Sequence, residues 1–279
     1  MKTPAAPLKF DEIGAWSELK LEIVEKYGSA YTSAFSKKGS RLKKYYIDGF
    51  SGAGTHVAKR SQRQVEGSPA RALKIVPPFD GFYFIDINPE KTRYLESLCE
   101  GRSNITIHTG DTNEYLVKQL FPTIKYENYN RALCLLDPYG LHLDWGVMLK
   151  AGQSRAVDLF LNFPVMDMNR NAIWRDPTKV PADGVQRMTR FWGDETWKSV
   201  VYAESPQQNL FSRPDLVKQA NKTVVDAFRS RLRSMAGFAY VADPLPMRNQ
   251  NNAIVYYLMF ASPKPVAEKI VKDIFKKYI

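Results

Sequence analysis

The sequence predicts an α/β protein with a mostly parallel sheet, a C-terminal antiparallel hairpin and a helical insertion. Three observations predict it. Short continuous apolar runs recur at 45–48, 82–86, 104–108, 132–137 and 156–162, as in strands buried on both faces. Helical patterns fall between them at 68–76, 89–100, 112–121 and 143–151. The rhythm then breaks over 164–236 and returns after Gly237.

Taken in order, residues 12–35 place Ile13, Trp16, Leu19, Ile23, Tyr27, Ala30 and Ala34 at three- and four-residue steps, an amphipathic helix. A basic stretch follows (Lys37, Lys38, Arg41, Lys43, Lys44), and then the first strand. Asn88-Pro89 marks a turn entering a helix, with Pro89 at its first position. Residues 164–236, rich in Arg, Trp, Asn and Met, read as helical with loops at 176–184 and 204–214. A strand at 238–242, a polar turn around Pro244 to Asn251 and a strand at 253–261 form the terminal hairpin. An amphipathic helix from about Pro265 to Tyr278 closes the chain. The expected division is 1–163, a helix plus the first sheet part; 164–236, an insertion that is a candidate for substrate recognition; and 237–279, which completes the sheet domain.

Composition bounds the function. With 279 residues, 44% hydrophobic and 25% charged, there is enough apolar side chain for a core, which excludes a disordered chain. No window approaches the roughly 20 apolar residues of a membrane span, and no apolar signal core follows the N-terminus. Cys99 and Cys134 sit in apolar patterns, so neither a disulfide framework nor zinc spacing is present, and a cytoplasmic setting is expected. The formal charge is +11, with +4 over 1–150 (21 basic, 17 acidic) and +7 over 151–279 (19 basic, 12 acidic). That excess favours a polyanionic partner, most often nucleic acid.

The chemistry is concentrated at strand ends. The first strand ends in Asp48-Gly49-Phe50-Ser51-Gly52-Ala53-Gly54, where small residues between a strand and a helix let a backbone approach a ligand. The second ends in Asp86, an acid suited to both hydroxyls of a ribose. The third leads to Gly110-Asp111, within reach of an adenine amine, and the fourth ends in Asp137-Pro138-Tyr139-Gly140. Each acid alone is a plausible helix cap; four in sheet order point to a nucleoside cofactor. Phe50, Ser51, Ile87 and Thr112 flank these positions and complete the expected cofactor set. S-adenosylmethionine fits better than NAD. The acid precedes the glycines, Val57 stands where a third glycine would be, and an acid at that turn would repel a pyrophosphate but suit an ammonium and a sulfonium.

The segment Tyr46 to Gly54, then Gly67-Ser68-Pro69, the Asp137-Pro138-Tyr139-Gly140 strand end and the tail Tyr257 to Ser262 together resemble the three-Cys-motif partner family over roughly 12–165 and 237–279. The first half is more distantly similar to bacterial adenine-N6 methyltransferases acting on 23S ribosomal RNA, which share the glycine turn, a Gly-Ser-Pro segment and an Asp-Pro-Pro-Tyr motif. These resemblances imply a Rossmann-like class I methyltransferase fold. They also imply methyl transfer to an amino group, with Asp137 and Pro138 as hydrogen-bond acceptors and Tyr139 as a stacking ring. This chain has one proline where those enzymes have two, which moves Tyr139 by one position. The alternative implied by the first family is a catalytically silent cofactor- or nucleic-acid-binding subunit of a radical-SAM-type partner protein.

Further candidates lie outside these motifs. Asn162, at the end of the fifth strand, and Arg170 and Trp174 in the insertion are candidate substrate contacts, arginine beside aromatics being the composition of a base-stacking surface. His56, His108 and His142 have no metal-ligand spacing, and no metal site is expected. Arg229, Arg231 and Arg233 alternate along a helix and read as solvated surface.

Overall fold

The apolar runs form strands in a computed structural model that describes residues 8–36, 41–204 and 216–278. In chain order these are β1 (Glu12–Ile13), α1 (Ala15–Phe35), β2 (Lys43–Asp48), β3 (Thr55–Ala58), β4 (Gln64–Glu66), α2 (Ser68–Ala72), β5 (Gly81–Asp86), α3 (Pro89–Leu98), β6 (Ile105–Thr109), α4 (Thr112–Tyr115) and β7 (Asn130–Leu136). There follow α5 (Trp145–Gln153), β8 (Val157–Phe163), α6 (Val165–Asn171), α7 (Ala182–Trp192), α8 (Trp197–Val201), β9 (Tyr202–Glu204), β10 (Leu216–Lys218), α9 (Asn221–Ser234), β11 (Tyr240–Val241), β12 (Leu245–Arg248), β13 (Ile254–Ser262) and α10 (Pro265–Phe275). Lys37, Lys38 and most of the expected 204–214 loop lie outside the described residues.

The main sheet has the order β11-β13-β8-β7-β2-β5-β6, with β12 also paired to β13. The neighbours among β2, β5, β6, β7 and β8 pair parallel, and β13 runs antiparallel to β8. The chain moves outward from β2 to β6 and then returns to lay β7 on the other side of β2. That reversal opens a crevice at the carboxyl ends of β2 and β7. The order, with its inserted antiparallel strand, is that of the Rossmann-like class I methyltransferase fold.

Alternate residues of each strand serve opposite faces. Tyr46, Phe84, Leu133, Leu135, Phe160 and Phe260 pack under α1, α2, α3 and α10. Ile47, Ile85, Cys134, Leu136, Leu159, Leu161 and Met259 pack under α5, α6, α7, α8 and α9. On the first face Tyr27 meets Phe160 and Phe260 with ring centroids 5.3 and 4.8 Å apart. Each buried ring of this kind contributes about 2–3 kcal/mol of transfer free energy. The Tyr27 hydroxyl donates to Asp158 (2.6 Å), which also accepts from Ser262 (2.6 Å), tying α1 to β8 and β13. The first helix also meets the last: Lys26 donates to the Tyr278 hydroxyl (2.6 Å), which donates to Glu22 (3.0 Å). Among the described residues no helix is long and apolar enough to cross a membrane.

Four expectations are corrected. The glycine turn does not pass directly into a helix: the β3–β4 hairpin intervenes and β3 pairs with β1, its alternation being only three or four residues long. The region around Pro244 to Asn251 is not all turn. Leu245 and Met247 face inward as β12, and Pro246 is tolerated because β12 pairs on one side only. The 164–236 stretch is not purely helical, since β9 and β10 pair antiparallel. Arg229, Arg231 and Arg233 are not simply solvated. Arg229 and Arg233 both donate to the Val241 carbonyl (2.9 and 2.8 Å), and Arg231 packs against the rings of Trp145 and Trp192. Phe191, Trp192 and Trp197 are buried in the core that β8 shares with α9.

Candidate functional site

Asp48 ends β2 in register with Leu135 of β7, so Asp137 emerges from the neighbouring strand two residues further on. Asp48 is fully buried. One carboxylate oxygen lies 3.4 Å from the amide of Phe50, and the other is buried without a hydrogen-bond partner. Desolvation pushes its carboxyl up to about 7; the Ser68 hydroxyl opposes the rise, the Asp137 charge adds to it, and Phe50 and Lys20 oppose it. Asp137 accepts from Asn162 Nδ2 (2.6 Å) and forms an ion pair with the ammonium of Lys20, which is 4% exposed. The Asn162 carbonyl oxygen is buried without a partner.

Beside this cluster Gly52 and Gly54 adopt φ of +60° and +73°, which a side chain would strain. The Gly52 amide donates to Asp86 Oδ2 (2.9 Å) and the Asn88 amide to Asp86 Oδ1 (2.9 Å), fixing a nearly buried carboxylate that still has free lone pairs. Ser51 donates from its amide (2.9 Å) and hydroxyl (3.1 Å) to the Ile85 carbonyl. Phe50 is half-buried against the core, whereas Ile87 is 72% exposed although apolar. Asp111 is exposed and caps α4 by accepting from the Glu114 amide (2.8 Å), and the buried Thr112 hydroxyl donates to the Gly49 carbonyl. Hydrogen bonds therefore link Asp86, Gly52 and Ser51 on one side and Thr112 with Gly49 on the other.

Pro138 is buried and Tyr139 is 57% exposed. The Tyr139 hydroxyl donates to Asp11 (3.0 Å) and accepts from Lys91 (3.0 Å), and Lys91 itself pairs with Asp11 (2.6 Å). The chain from Phe10 to Ile13 thus runs as a strap: Phe10 packs on Tyr94 of α3, Asp11 holds Tyr139, and Glu12–Ile13 pairs with β3. Gly140 (φ +60°) has the Asp167 carboxylate 2.5 Å from where a Cβ would stand.

Arg170 and Trp174 are held beside each other, the Trp174 indole donating to the Arg170 carbonyl (2.7 Å), and Arg170 is exposed. Among the described residues no hydrogen bond joins them to the Asp137 cluster. His56 has a buried, unpartnered Nδ1, and burial, with Lys20 second, lowers its pKa. His108 stacks on Tyr115 at 4.0 Å and His142 is exposed. Sequence reasoning missed Lys20, Lys91, Asp11 and Asp167. For Lys20 a signal existed: it interrupts the apolar stripe of the first helix between Trp16 and Ile23. Asp11 and Lys91 are brought together only by the strap, which no local pattern announces.

The same fold is found in protein LPL1258 from Legionella pneumophila, of the DUF519 family model, at 12% identity and a TM-score of 0.53 over 94% of this chain and 92% of that one. Weaker likenesses are to the DszA carbon methyltransferase (12% identity, TM-score 0.44, 89% and 55% of the chains) and to the methyltransferase domain of bacterial CtHen1 (10% identity, TM-score 0.43, 88% and 98%). No family model matches the chain, and no curated protein matches it. At these identities the likeness speaks for the fold alone.

Proposed function

We propose that the chain is an S-adenosylmethionine-dependent methyltransferase acting on an amino group of a nucleic acid, with adenine-N6-like chemistry. One observation carries the reading: at the switch point, a strand-end carboxylate, Asp137, is oriented by Asn162 and a buried Lys20 directly beside the glycine turn. The residues present fit the cofactor. Gly52 leaves room at the turn, Asp86 has lone pairs for ribose hydroxyls, the bare Ile87 offers an apolar face to adenine, and Asp111 is proposed for its amine edge. The unpartnered oxygen of Asp48 suits an ammonium. When bound, the cofactor supplies an electrophilic methyl group.

The chain's own part is positioning and charge placement. Asp137 and the Pro138 carbonyl would accept hydrogen bonds from the two N–H groups of the amine, which turns the nitrogen lone pair toward the methyl group. Lys20 and Asn162 keep the carboxylate from swinging away, and the exposed ring of Tyr139, anchored through its hydroxyl, gives a base a surface to stack on. Arg170 and Trp174 are proposed as outer substrate contacts on the 164–236 insertion.

The anchoring of Tyr139 by Asp11 and Lys91 also favours a second reading, a catalytically silent cofactor- or nucleic-acid-binding partner of a radical-SAM-type protein. Calorimetric titration with S-adenosylmethionine tests the cofactor edge: micromolar binding is expected for the wild type and at least tenfold weaker binding for Asp86→Ala. Methyl transfer to DNA or RNA that Asp137→Ala abolishes, with cofactor binding retained, selects the enzyme. Cofactor binding without transfer selects the silent partner, and absence of binding by folded protein removes the methyltransferase and leaves a partner that scaffolds nucleic acid or the radical-type protein without the cofactor.

A further inference from the structure

A cleft of about 650 Å3 lies beside the site, between the start of α1, the tip of the β3–β4 hairpin and the β12–β13 turn. Its walls differ in chemistry. The hairpin tip presents Lys59 and Arg60, both exposed, and neither has an ion-pair partner among the described residues. The facing turn presents Asn249, Gln250 and Asn251, a run of carboxamides. The half-buried ring of Trp16 lines the third side, lying against Gly14. The one acid in the lining, Glu18, is neutralised by Arg63 and so does not oppose an anion.

We infer that this cleft binds one nucleotide of a single-stranded nucleic acid, adjacent to the base offered to Asp137; the inference rests on the proposed reading of that edge. Three features combine. Unpaired cations at a hairpin tip suit a phosphate, an aromatic face suits a base of any identity, and carboxamides suit base edges. The placement fits as well. Trp16 lies four residues before Lys20 on one helix, a rise of about 6 Å, and Lys20 pairs with Asp137, so one helix end serves both the cleft and the strand-end carboxylate. The cleft volume is generous for one base and its sugar, and the hairpin tip is too confined a cation pair for a duplex backbone on two sides.

Fluorescence anisotropy with a fluorescein-labelled single-stranded dodecamer, as RNA and as DNA, tests this without any methyl transfer. The wild type is expected to bind at least one of the two, more tightly than the matching duplex. The Lys59→Ala/Arg60→Ala variant, altered only on an exposed tip, is expected to bind about tenfold more weakly and to lose roughly 1 to 2 from its salt slope. Trp16→Leu is expected to lose several-fold in affinity and Trp16→Phe to retain most of it, with thermal melts checking that both fold. Equal affinity of wild type and double variant, preference for duplex, or no binding by the wild type would overturn the inference. The outcome is separable from that of the function itself. Loss of oligonucleotide binding in the variant alongside no cofactor heat keeps the cleft and removes the methyltransferase. Cofactor binding with unaltered oligonucleotide affinity does the reverse.

Discussion

Asp48 binds a proton far more tightly in the folded chain than an exposed aspartate does, because burial carries its carboxyl from an ordinary 3.8 to about 7. An acid whose pKa rises on folding costs stability as pH rises, here between about 4 and about 7. Asp48→Asn keeps the shape and removes the charge. It is therefore expected to be more stable than the wild type at pH 8 by on the order of 2–4 kcal/mol, with little difference at pH 4, as read from denaturant midpoints. The same proton competes with a cation. Affinity for S-adenosylmethionine is expected to rise several-fold between pH 6 and 8 in the wild type and to stay flat in Asp48→Asn, which calorimetry at the two pH values would read. At this scale the sequence is partly transparent. Asp48, Asp86 and Asp137 declare themselves as strand ends, since each closes an apolar run and the pattern repeats from strand to strand. Lys20 shows only as a break in the apolar stripe of the first helix, and its role stays hidden because its partner lies 117 residues away.

Among the elements, α9 departs most from its sequence pattern. Alternating arginines on a helix suggest solvent, yet the Arg231 guanidinium lies 5.0 Å from the Trp145 ring and 5.3 Å from Trp192, donating to the Trp192 carbonyl (2.9 Å) and Asp194 (2.8 Å). Arg231→Ala is expected to destabilise the fold by about 2–3 kcal/mol, since it removes both the stacking and the partner of a half-buried carboxylate. Arg231→Lys is expected to recover little of that, a point charge being unable to reproduce the planar fork; chemical denaturation of the two variants checks it. The long elements were legible because buried strands and amphipathic helices repeat their pattern many times. β1, β3, β4, β9, β10 and β12 run to four residues at most, too short for any period to register, and they exist because a neighbouring strand pairs with them. The strap and the cleft are built largely from such short pieces, which is why neither could be read from the sequence.

Across the whole molecule, one buried carboxylate joins three elements. Asp158 accepts from Tyr27 of α1 and Ser262 of β13, and burial raises its pKa to about 6 against those two hydrogen bonds. Tyr27→Phe keeps the ring packing but leaves Asp158 one donor short. A loss of about 1–3 kcal/mol is expected at pH 8, shrinking toward pH 5 as the carboxyl takes up a proton, measured as unfolding free energy across that range. The docking of α1 has a further consequence, one of biosynthetic order. Lys20 reaches Asp137 only when α1 is seated, and part of its seat is made by β13 and α10, which a ribosome delivers after the central strands. A nascent chain can assemble the sheet centre and the glycine turn first, whereas the cation that steadies Asp137 settles only after β13 and α10 have left the ribosome. A chain stalled short of β13 would therefore carry the strand-end acids without Lys20 held against Asp137.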